Sequence, residues 1–260
     1  MTKSEQKPEQ AAENKKAAAK GRPSEGQTGL FITFEGGEGA GKSTQIKELA
    51  NRIKARSMEV VLTREPGGSD GAEILRHVLL SGAAEPFGSD FEVVLFAAAR
   101  LDHMQQKIIP ALQNGAVVLC DRFYDSTRAY QGGEGGVSAA FLSDLEILSV
   151  GKYQPDLTFI LDIPPRVGLE RVRARSGNEA ALIDRFEKDD LVVHHDRRRA
   201  FLDIAAREPN RCVVIDATKP ADLVAYEIWE RVSSLIDHNE RRSELANGES
   251  KASRGGEHRG

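Results

Sequence analysis

Hydrophobic residues are concentrated in five short runs along the chain, with little alternation of polar and apolar positions inside them. The runs are rich in Val, Ile, Leu and Phe, which is typical of strands buried on both faces of a parallel sheet. The predicted strands are Leu30–Glu35, Glu59–Thr63, Ala116–Cys120, Leu157–Asp162 and Cys212–Asp216.

Between the strands, apolar residues recur three or four positions apart, which is the spacing of one helix face. The clearest examples follow the first and the last strand: Ile46, Leu49, Ala50, Ile53, Leu223, Val224, Ile228, Trp229 and Val232. Strands that alternate with helices predict an α/β fold, in which helices cover both faces of a parallel sheet. Ligands of such sheets bind beyond the carboxyl ends of the strands.

Both ends of the chain lack this pattern. Residues 1–28 are rich in Lys, Glu, Gln, Ala and Ser, and residues 239–260 have the same character. Segments of this kind bury too little apolar surface to offset the entropy of ordering. We therefore expect one folded domain, residues 29–238, between two disordered tails.

The composition excludes several functional classes. A chain with 40% hydrophobic and 29% charged residues is typical of a globular domain, and its net charge of −4 argues against a dedicated nucleic-acid binder. No apolar stretch approaches the roughly 20 residues of a membrane span, and the N-terminus has no secretory signal. Cys120 and Cys212 lie in apolar runs and are expected to be buried thiols, and no Cys or His spacing indicates zinc. We expect a cytoplasmic protein.

A phosphate-binding loop follows the first strand. Residues 36–43 read GGEGAGKS, which satisfies the G-x-x-x-x-G-K-[ST] pattern between a strand and a helix. Glycines allow backbone N–H groups to surround phosphate oxygens, Lys42 should reach the β- and γ-phosphates, and Ser43 should coordinate Mg²⁺. The predicted ATP-binding residues are Gly36, Gly37, Glu38, Gly39, Ala40, Gly41, Lys42, Ser43 and Thr44.

Charged residues also follow the second and third strands. Arg64 comes after the second strand, and Asp121 and Arg122 come after the third. A carboxylate that ends a buried strand suits a magnesium site, so Asp121 could hold Mg²⁺ through water together with Ser43. It could instead orient Arg122, and the sequence leaves both interpretations open.

Three motifs carry a family resemblance. Residues 63–68 (TREPGG), 121–123 (DRF) and 131–133 (QGG), combined with the phosphate-binding loop, resemble the thymidylate kinase family, particularly its bacterial members. The resemblance implies a three-layer P-loop NTPase fold of the nucleoside-monophosphate kinase type. It implies transfer of the γ-phosphoryl group of ATP to dTMP, giving ADP and dTDP, with Mg²⁺ required. It also implies a homodimer, for which the predicted helix Phe91–Ala111 is a candidate interface because of its long apolar face.

The chemistry of a monophosphate acceptor explains the two arginines. The second pKa of such a phosphate is about 6, so the acceptor is already an adequate nucleophile near neutral pH and needs no general base. Catalysis then depends on positioning and positive charge. The resemblance assigns Arg64 and Arg122 to the acceptor phosphate, which a guanidinium binds bidentately. Either could instead be a surface arginine in an ion pair.

Base recognition is assigned to Phe96 and Arg100, which are four residues apart and therefore share a helix face. The resemblance places both at the thymine base, with Arg100 on its O4 atom. Taken alone, Phe96 would more often be a core residue. The resemblance also places Ser126 and Thr127 near the edge of the base.

The resemblance extends to the sugar. It places Tyr130 against the ribose 2′ position, which favours deoxynucleotides, and Glu38 near the 3′-hydroxyl. The complete set of substrate-binding residues that it implies is Glu38, Arg64, Phe96, Arg100, Arg122, Ser126, Thr127, Tyr130, Gln131 and Glu187.

A lid is predicted at about residues 171–184, where Arg171, Arg173 and Arg175 precede a flexible turn. Some family members carry an arginine in the P-loop, and this chain carries none there, so the resemblance assigns catalytic arginines to the lid. The predicted catalytic residues are Lys42, Arg122, Arg173 and Arg175. The alternative for the lid arginines is a solvated helix face, and residues 196–199 (DRRR) are expected to form surface ion pairs.

Two other functions remain open at this point. The first is a kinase for another nucleoside monophosphate or for a nucleoside, although a nucleoside would need a base to accept its hydroxyl proton. The second is a non-catalytic P-loop switch or nucleic-acid partner with the basic N-terminal segment as its binding arm, which predicts salt-sensitive nucleic-acid affinity.

Overall fold

A computed structural model describes residues 29–133, 136–176 and 190–254 of the chain. Its five strands form one parallel sheet in the order β2-β3-β1-β4-β5. The strands are β1 (Leu30–Glu35), β2 (Val60–Arg64), β3 (Val117–Asp121), β4 (Leu157–Asp162) and β5 (Cys212–Asp216). Three have the predicted bounds and two are shifted by one residue, so the predicted parallel sheet is confirmed.

Helices connect the strands and cover the sheet. They are α1 (Lys42–Ala55), α2 (Asp70–Leu80), α3 (Ser89–His103), α4 (Ile109–Gln113), α5 (Tyr124–Gln131), α6 (Ala139–Val150), α7 (Pro165–Ser176), α8 (Leu191–Arg207) and α9 (Ala221–Arg254). Because β2 and β3 lie on one side of β1 while β4 and β5 lie on the other, the strand order reverses at β1. The loop after β1 therefore opens at the crevice where such sheets bind ligands.

The core forms two layers, one on each face of the sheet. On one face, Ile32 and Phe34 of β1 pack with apolar residues of α1 and α9. On the other face, Phe31 packs with Phe123 at a ring-centroid distance of 5.0 Å and with residues that follow α3. All six residues of β1 are buried. Burial on both faces explains why this strand shows so little alternation in sequence.

The helix predicted at Phe91–Ala111 is interrupted. Residues Met104–Ile108 form a wider π-helical turn between α3 and α4, with the N–H of Ile109 donating to the carbonyl of Met104. The next residue, Pro110, has no N–H to donate and its ring crowds the carbonyl four residues earlier, so the wider turn accommodates it. His103, the last residue of α3, is buried directly before this turn.

The last helix extends past the predicted domain boundary. Residues 239–254 continue α9, whereas the sequence predicted a disordered tail from residue 239. The segment is rich in Glu, Arg, Ala and Ser and has no proline, so its helix propensity continues a helix that packing has already nucleated. Arg56 of the α1 C-terminus pairs with Asp237 at 2.6 Å just before this extension. The N-terminal segment, residues 1–28, lies outside the described residues.

Both cysteines are free and buried, as predicted. Burial raises the pKa of the Cys120 thiol well above its usual range and that of Cys212 to about 12. Among the described residues, no helix is long and apolar enough to cross a membrane.

Candidate active site

A cavity of about 330 Å³ lies beyond the carboxyl ends of β1, β2 and β3. The loop after β1 and the first turn of α1 form one end, and α3 and α5 form the other. The predicted site residues that line it are Glu38, Gly39, Ala40, Gly41, Lys42, Ser43, Thr44, Arg64, Phe96, Arg100, Asp121, Arg122, Ser126, Thr127, Tyr130 and Gln131. The fold therefore brings the predicted phosphate-binding and base-binding residues together in one cleft.

The phosphate-binding loop is shaped by glycines at close contacts. A side chain at Gly36, which has a φ of 128°, would meet the carbonyl of Leu161 at 2.4 Å. A side chain at Gly39 would meet the carbonyl of Gly168 in α7 at 2.0 Å. Only glycine suits both the backbone conformation and the space. The loop is thus pressed between β4 and α7, and α1 begins at Lys42 with its N-terminus facing the cleft.

Lys42 is buried against this loop. Its Nζ donates to the carbonyls of Gly36 and Gly37, both at 3.1 Å. Burial lowers the pKa of Lys42, and the nearby charge of Arg122 lowers it further, while Glu38 opposes the shift. The ammonium group therefore lies where a phosphate bound in the loop would offer it a stronger acceptor than the two carbonyls.

Ser43 and Asp121 form an oxygen-rich corner of the cleft. The Ser43 hydroxyl donates to Oδ2 of Asp121 at 2.7 Å. A hydroxyl and a carboxylate are ligands that suit Mg²⁺, which keeps several waters and binds through substrate phosphates. The Arg122 side chain makes its hydrogen bonds to Gly36, Ser126 and Glu38, and both interpretations of Asp121 stay predictions.

Arg122 connects the loop after β1 to α5. Its φ of 66° is unusual for a residue with a side chain. Nη1 donates to the carbonyl of Gly36 at 3.1 Å and to Oγ of Ser126 at 3.2 Å, and Nη2 pairs with the Glu38 carboxylate. The Tyr130 hydroxyl donates to the same carboxylate at 3.0 Å, and its ring centroid lies 5.2 Å from the Arg122 guanidinium.

Charge compensation determines the ionisation of Glu38. Burial raises its pKa, but the cations Arg122 and Lys42 outweigh this effect and lower the pKa of Glu38 to about 2. Burial raises the pKa of Tyr130, which therefore stays neutral and remains a hydrogen-bond donor. The centre of the cleft is thus a pre-formed pair of opposite charges.

Arg100 is held at the other end of the cleft. Only 4% of its side chain is exposed, and its Nε donates to Oε2 of Glu65 at 2.8 Å. Its Nη2 donates to Oγ1 of Thr127 at 3.0 Å. Phe96, one helical turn earlier on α3, is half-buried and lines the cavity, so it is not a core residue.

Comparison with known proteins decides the family. The thymidylate kinase family model matches residues 34–228. The chain belongs to the thymidylate kinase family.

Individual relatives agree with this membership. Over 208 residues the chain is 54% identical to the thymidylate kinases of two Bradyrhizobium strains, ORS 278 and BTAi1, and the match covers 80% of this chain and 91% of each relative. The crystal structure of thymidylate kinase from Ehrlichia chaffeensis is similar with a TM-score of 0.62 at 34% identity, over 78% of this chain and 98% of that one. The predicted fold and enzyme class are confirmed, and so is the predicted activity, ATP-dependent phosphorylation of dTMP to dTDP.

Arg64 lies at the cavity and also forms a partly exposed ion pair. It lines the cavity, but about half of its side chain is exposed and its Nη2 donates to both carboxylate oxygens of Glu73, at 3.0 and 3.1 Å. Arg76 lines the same wall and donates to the carbonyl of Pro66 at 2.6 Å. The sequence analysis did not identify Arg76. The feature that could have identified it is a positively charged residue on the helix that follows the TREPGG run.

The lid predictions are only partly described. Arg171 of α7 donates to the carbonyl of Ala217 at 2.9 Å, and Arg173 is exposed on the same helix. The side chain of Arg175 and the whole of Glu187 lie outside the described residues, as does most of the segment predicted as a lid.

The run at residues 196–199 agrees only in part with its prediction. Arg199 pairs with Asp196 on the surface as expected. Arg198, however, reaches Asp162 at the end of β4 with two hydrogen bonds of 2.7 and 2.8 Å. The guanidinium of Arg197 lies 4.2 Å from the Tyr130 ring centroid. Helix α8 therefore contributes a cation to the edge of the site, which charge patterning along the chain could not indicate.

Glu35 and Asp125 are further residues that the sequence did not assign. Glu35 ends β1, is fully buried, and accepts hydrogen bonds from the N–H of Phe123 at 2.7 Å and from the Ser126 hydroxyl at 2.6 Å. Burial, together with Asp125, raises the pKa of Glu35 to about 8. Asp125 in turn accepts two hydrogen bonds from Arg211, at 2.7 and 3.1 Å. These carboxylates fix the start of α5 and so the backbone of Arg122.

Proposed function

We propose that ATP binds with its phosphates in the loop after β1 and that dTMP binds between Arg122 and Arg100, with in-line transfer at the junction. The arrangement around Arg122 carries this assignment. Its guanidinium contacts both the phosphate-binding loop, at Gly36, and the substrate-side helix α5, at Ser126. A cation at that junction can contact a donor phosphate and an acceptor phosphate together.

The donor side is provided by the loop and Lys42. Backbone N–H groups and the N-terminus of α1 bind the phosphate oxygens, and Lys42 exchanges its loop carbonyls for the β- and γ-phosphates. Ser43 and Asp121 would hold Mg²⁺ with the phosphates. The chemistry that bound Mg²⁺ supplies there is neutralisation of the phosphate charge.

On the acceptor side, Arg122 and Arg64 bind the phosphate of dTMP. Because that phosphate is mostly dianionic near neutral pH, the reaction needs no general base. Arg122 approaches it from the centre of the cleft, whereas Arg64 must share its charge between the phosphate and Glu73. We therefore rank Arg122 as the principal cation for the acceptor, with Arg173 and Arg175 supplying further positive charge from α7.

The base lies against Phe96 and Arg100. Arg100 offers only N–H donors, which match the O4 carbonyl of thymine and oppose the amino group that cytosine carries in its place. Ser126, Thr127 and Gln131 line the wall of this pocket. Tyr130 and Glu38 bind the deoxyribose, and the family resemblance adds Glu187 to the substrate-binding residues.

Two copies of the chain pair through the outer face of α3. Phe91 and Val94 lie on this face and are each 42% exposed, and the Phe87 ring lies 5.2 Å from that of Phe91. Exposed clusters of this kind are typical of protein–protein interfaces. Sedimentation of the purified protein tests this: a dimer that Val94→Glu converts to a monomer supports the interface.

We also propose a cytoplasmic location, which suits two free thiols.

A coupled ADP-release assay tests the substrate assignment. ATP and Mg²⁺ are offered with dTMP, dUMP, dCMP, dGMP, AMP, UMP or thymidine. We expect strong turnover with dTMP, weaker turnover with dUMP and negligible turnover with dCMP and thymidine. Preference for another monophosphate would contradict the Phe96 and Arg100 assignment. The absence of turnover with every acceptor, in a protein that still binds ATP, would contradict the phosphoryl-transfer assignment itself.

A further inference from the structure

A continuous line of buried hydrogen bonds runs from the end of α3 to the base pocket. His103, the last residue of α3, is completely buried. Its Nε2 lies 2.6 Å from Oγ1 of Thr63, and its Nδ1 lies 3.1 Å from Oε1 of Glu65. The other carboxylate oxygen of Glu65 accepts from Nε of Arg100.

The partners of His103 determine which of its nitrogens carries the proton. The Glu65 carboxylate can only accept hydrogen bonds, so Nδ1 must be the donor in that contact. In the neutral imidazole Nε2 is then an acceptor, and the Thr63 hydroxyl donates to it. Every donor in this line therefore points towards Glu65, from His103 on one side and from Arg100 on the other.

Backbone contacts fix this line at its centre and at its His103 end. The N–H of Glu65 donates to the carbonyl of Asp121 at 3.0 Å, which ties this residue to the end of β3. Gly68 covers the contact between His103 and Thr63, since a side chain there would lie 2.5 Å from Nε2 of His103. The Glu65 carboxylate therefore has little freedom to turn.

We propose that His103 is a positioning residue for the nucleobase: by holding Glu65 it fixes the guanidinium of Arg100 in the orientation that meets the O4 carbonyl of dTMP. Arg100 has a long side chain, and immobilising it before binding reduces the entropy lost when the base arrives. This inference rests on the proposed placement of dTMP. It adds a residue that reaches the substrate only through Glu65 and Arg100.

Two amide variants, each of which can match the position of one ring nitrogen of His103, separate this role from simple core packing. In His103→Asn, the side-chain amide occupies the position of Nδ1 and can still donate to Glu65. In His103→Gln, the longer side chain places its amide at the position of Nε2, so that contact is lost. A purely structural role predicts that both variants lower the melting temperature while the KM for dTMP stays the same in both.

The measurement is the KM for dTMP, the KM for ATP and the ratio of dTMP to dCMP turnover. We expect His103→Asn to stay within about threefold of the wild type and His103→Gln to raise the KM for dTMP about tenfold or more, as loss of a charged hydrogen bond predicts. The KM for ATP should be unchanged, and the preference for dTMP over dCMP should fall only in His103→Gln. Equal KM values for dTMP in the two variants would overturn the proposal.

The controls keep the test decisive. His77→Gln makes the same substitution at an exposed position on α2 and should match the wild type.

A second variant applies if His103→Gln does not fold. Glu65→Gln weakens the hold on Arg100 with His103 in place and must raise the KM for dTMP to a similar degree; an unchanged KM overturns the inference. If the wild type itself does not prefer dTMP, the base-pocket assignment is wrong. If the wild type prefers dTMP but the two variants agree with each other, only the role of His103 is wrong.

Discussion

Arg122 and Glu38 form an ion pair across the centre of the cleft, although 84 residues separate them in the chain. Each residue follows a different strand, and β1 and β3 are neighbours in the sheet. The pair therefore joins the loop after β1 to the helix that lines the other end of the cavity. Its partial burial gives it consequences for both stability and catalysis.

Acid should weaken the protein through Glu38. Its pKa is about 2 in the folded protein, below its ordinary value of 4.5 in an unfolded chain, so its stabilising contribution is present above pH 4.5 and is lost as the pH falls towards 2. The difference corresponds to at most about 3 kcal/mol. We expect Glu38→Gln to lower the free energy of unfolding at pH 7, and the gap to the wild type to narrow between pH 4.5 and pH 3. Urea titrations at these pH values measure it, and a gap independent of pH would contradict the ion-pair account.

Removing the ammonium group from the phosphate-binding loop should abolish turnover. If Lys42 compensates charge on the transferring phosphoryl group, as we propose, Lys42→Ala should lower kcat by about 100-fold or more. Circular dichroism and the melting temperature should remain close to those of the wild type. Lys47→Ala, on the same helix but outside the cavity, is the matched control. Near-normal turnover in folded Lys42→Ala would remove this residue from the mechanism.

Truncating the aromatic wall should weaken dTMP binding. Phe96→Ala removes a ring that lines the cavity, and loss of base stacking predicts about 1–3 kcal/mol of weaker dTMP binding. Calorimetric titration with dTMP measures the loss, while the affinity for ATP should not change. Phe141→Ala removes an equivalent ring on α6 away from the cleft and should leave both affinities intact. Unchanged dTMP affinity in Phe96→Ala would place that ring outside the binding site.

The contact between α7 and the phosphate-binding loop should be intolerant of a methyl group. A Gly to Ala change inside a helix ordinarily stabilises by about 0.5–1 kcal/mol. At Gly168 the added carbon would lie 2.2 Å from the carbonyl of Glu38, so the loop or the helix must move. We expect Gly168→Ala to lower kcat about 10- to 100-fold without raising the melting temperature. The control is Glu170→Ala, an exposed change in the same helix. A more stable Gly168→Ala with normal kcat would show that the contact is not required.

Deleting residues 1–28 should leave catalysis nearly unchanged. The segment has little to bury, and the family match begins after it, at residue 34. Steady-state constants of the truncated and full chains provide the comparison. A large loss of kcat or a large rise in KM would give the segment a direct role in the reaction.

Most of the fold could be predicted from the sequence, because its strands and helices depend on residues that are close together in the chain. The fully buried strands show as apolar runs without alternation, and helix faces show as repeats of three or four residues, because these patterns depend on neighbours close in sequence. The phosphate-binding loop is similar: glycine spacing, Lys42 and Ser43 lie within eight residues. The family motifs then located Arg100, Arg122 and Tyr130, and the structure places all three on one cavity.

The remaining features depend on contacts between distant segments. The line from His103 through Glu65 to Arg100 exists because the end of α3 lies over the turn after β2, and no periodicity records that approach. Arg197 reaches the Tyr130 ring only because α8 packs along α5. Two further differences have local causes: α9 continues beyond residue 239 through helix propensity, and the π-helical turn precedes Pro110, which has no N–H to donate. The spacing of apolar residues and glycines in the sequence thus specifies the parallel sheet and its phosphate-binding loop. The partners of each buried charge are decided by the tertiary structure, because they depend on which strand ends and helices meet at the edge of the sheet.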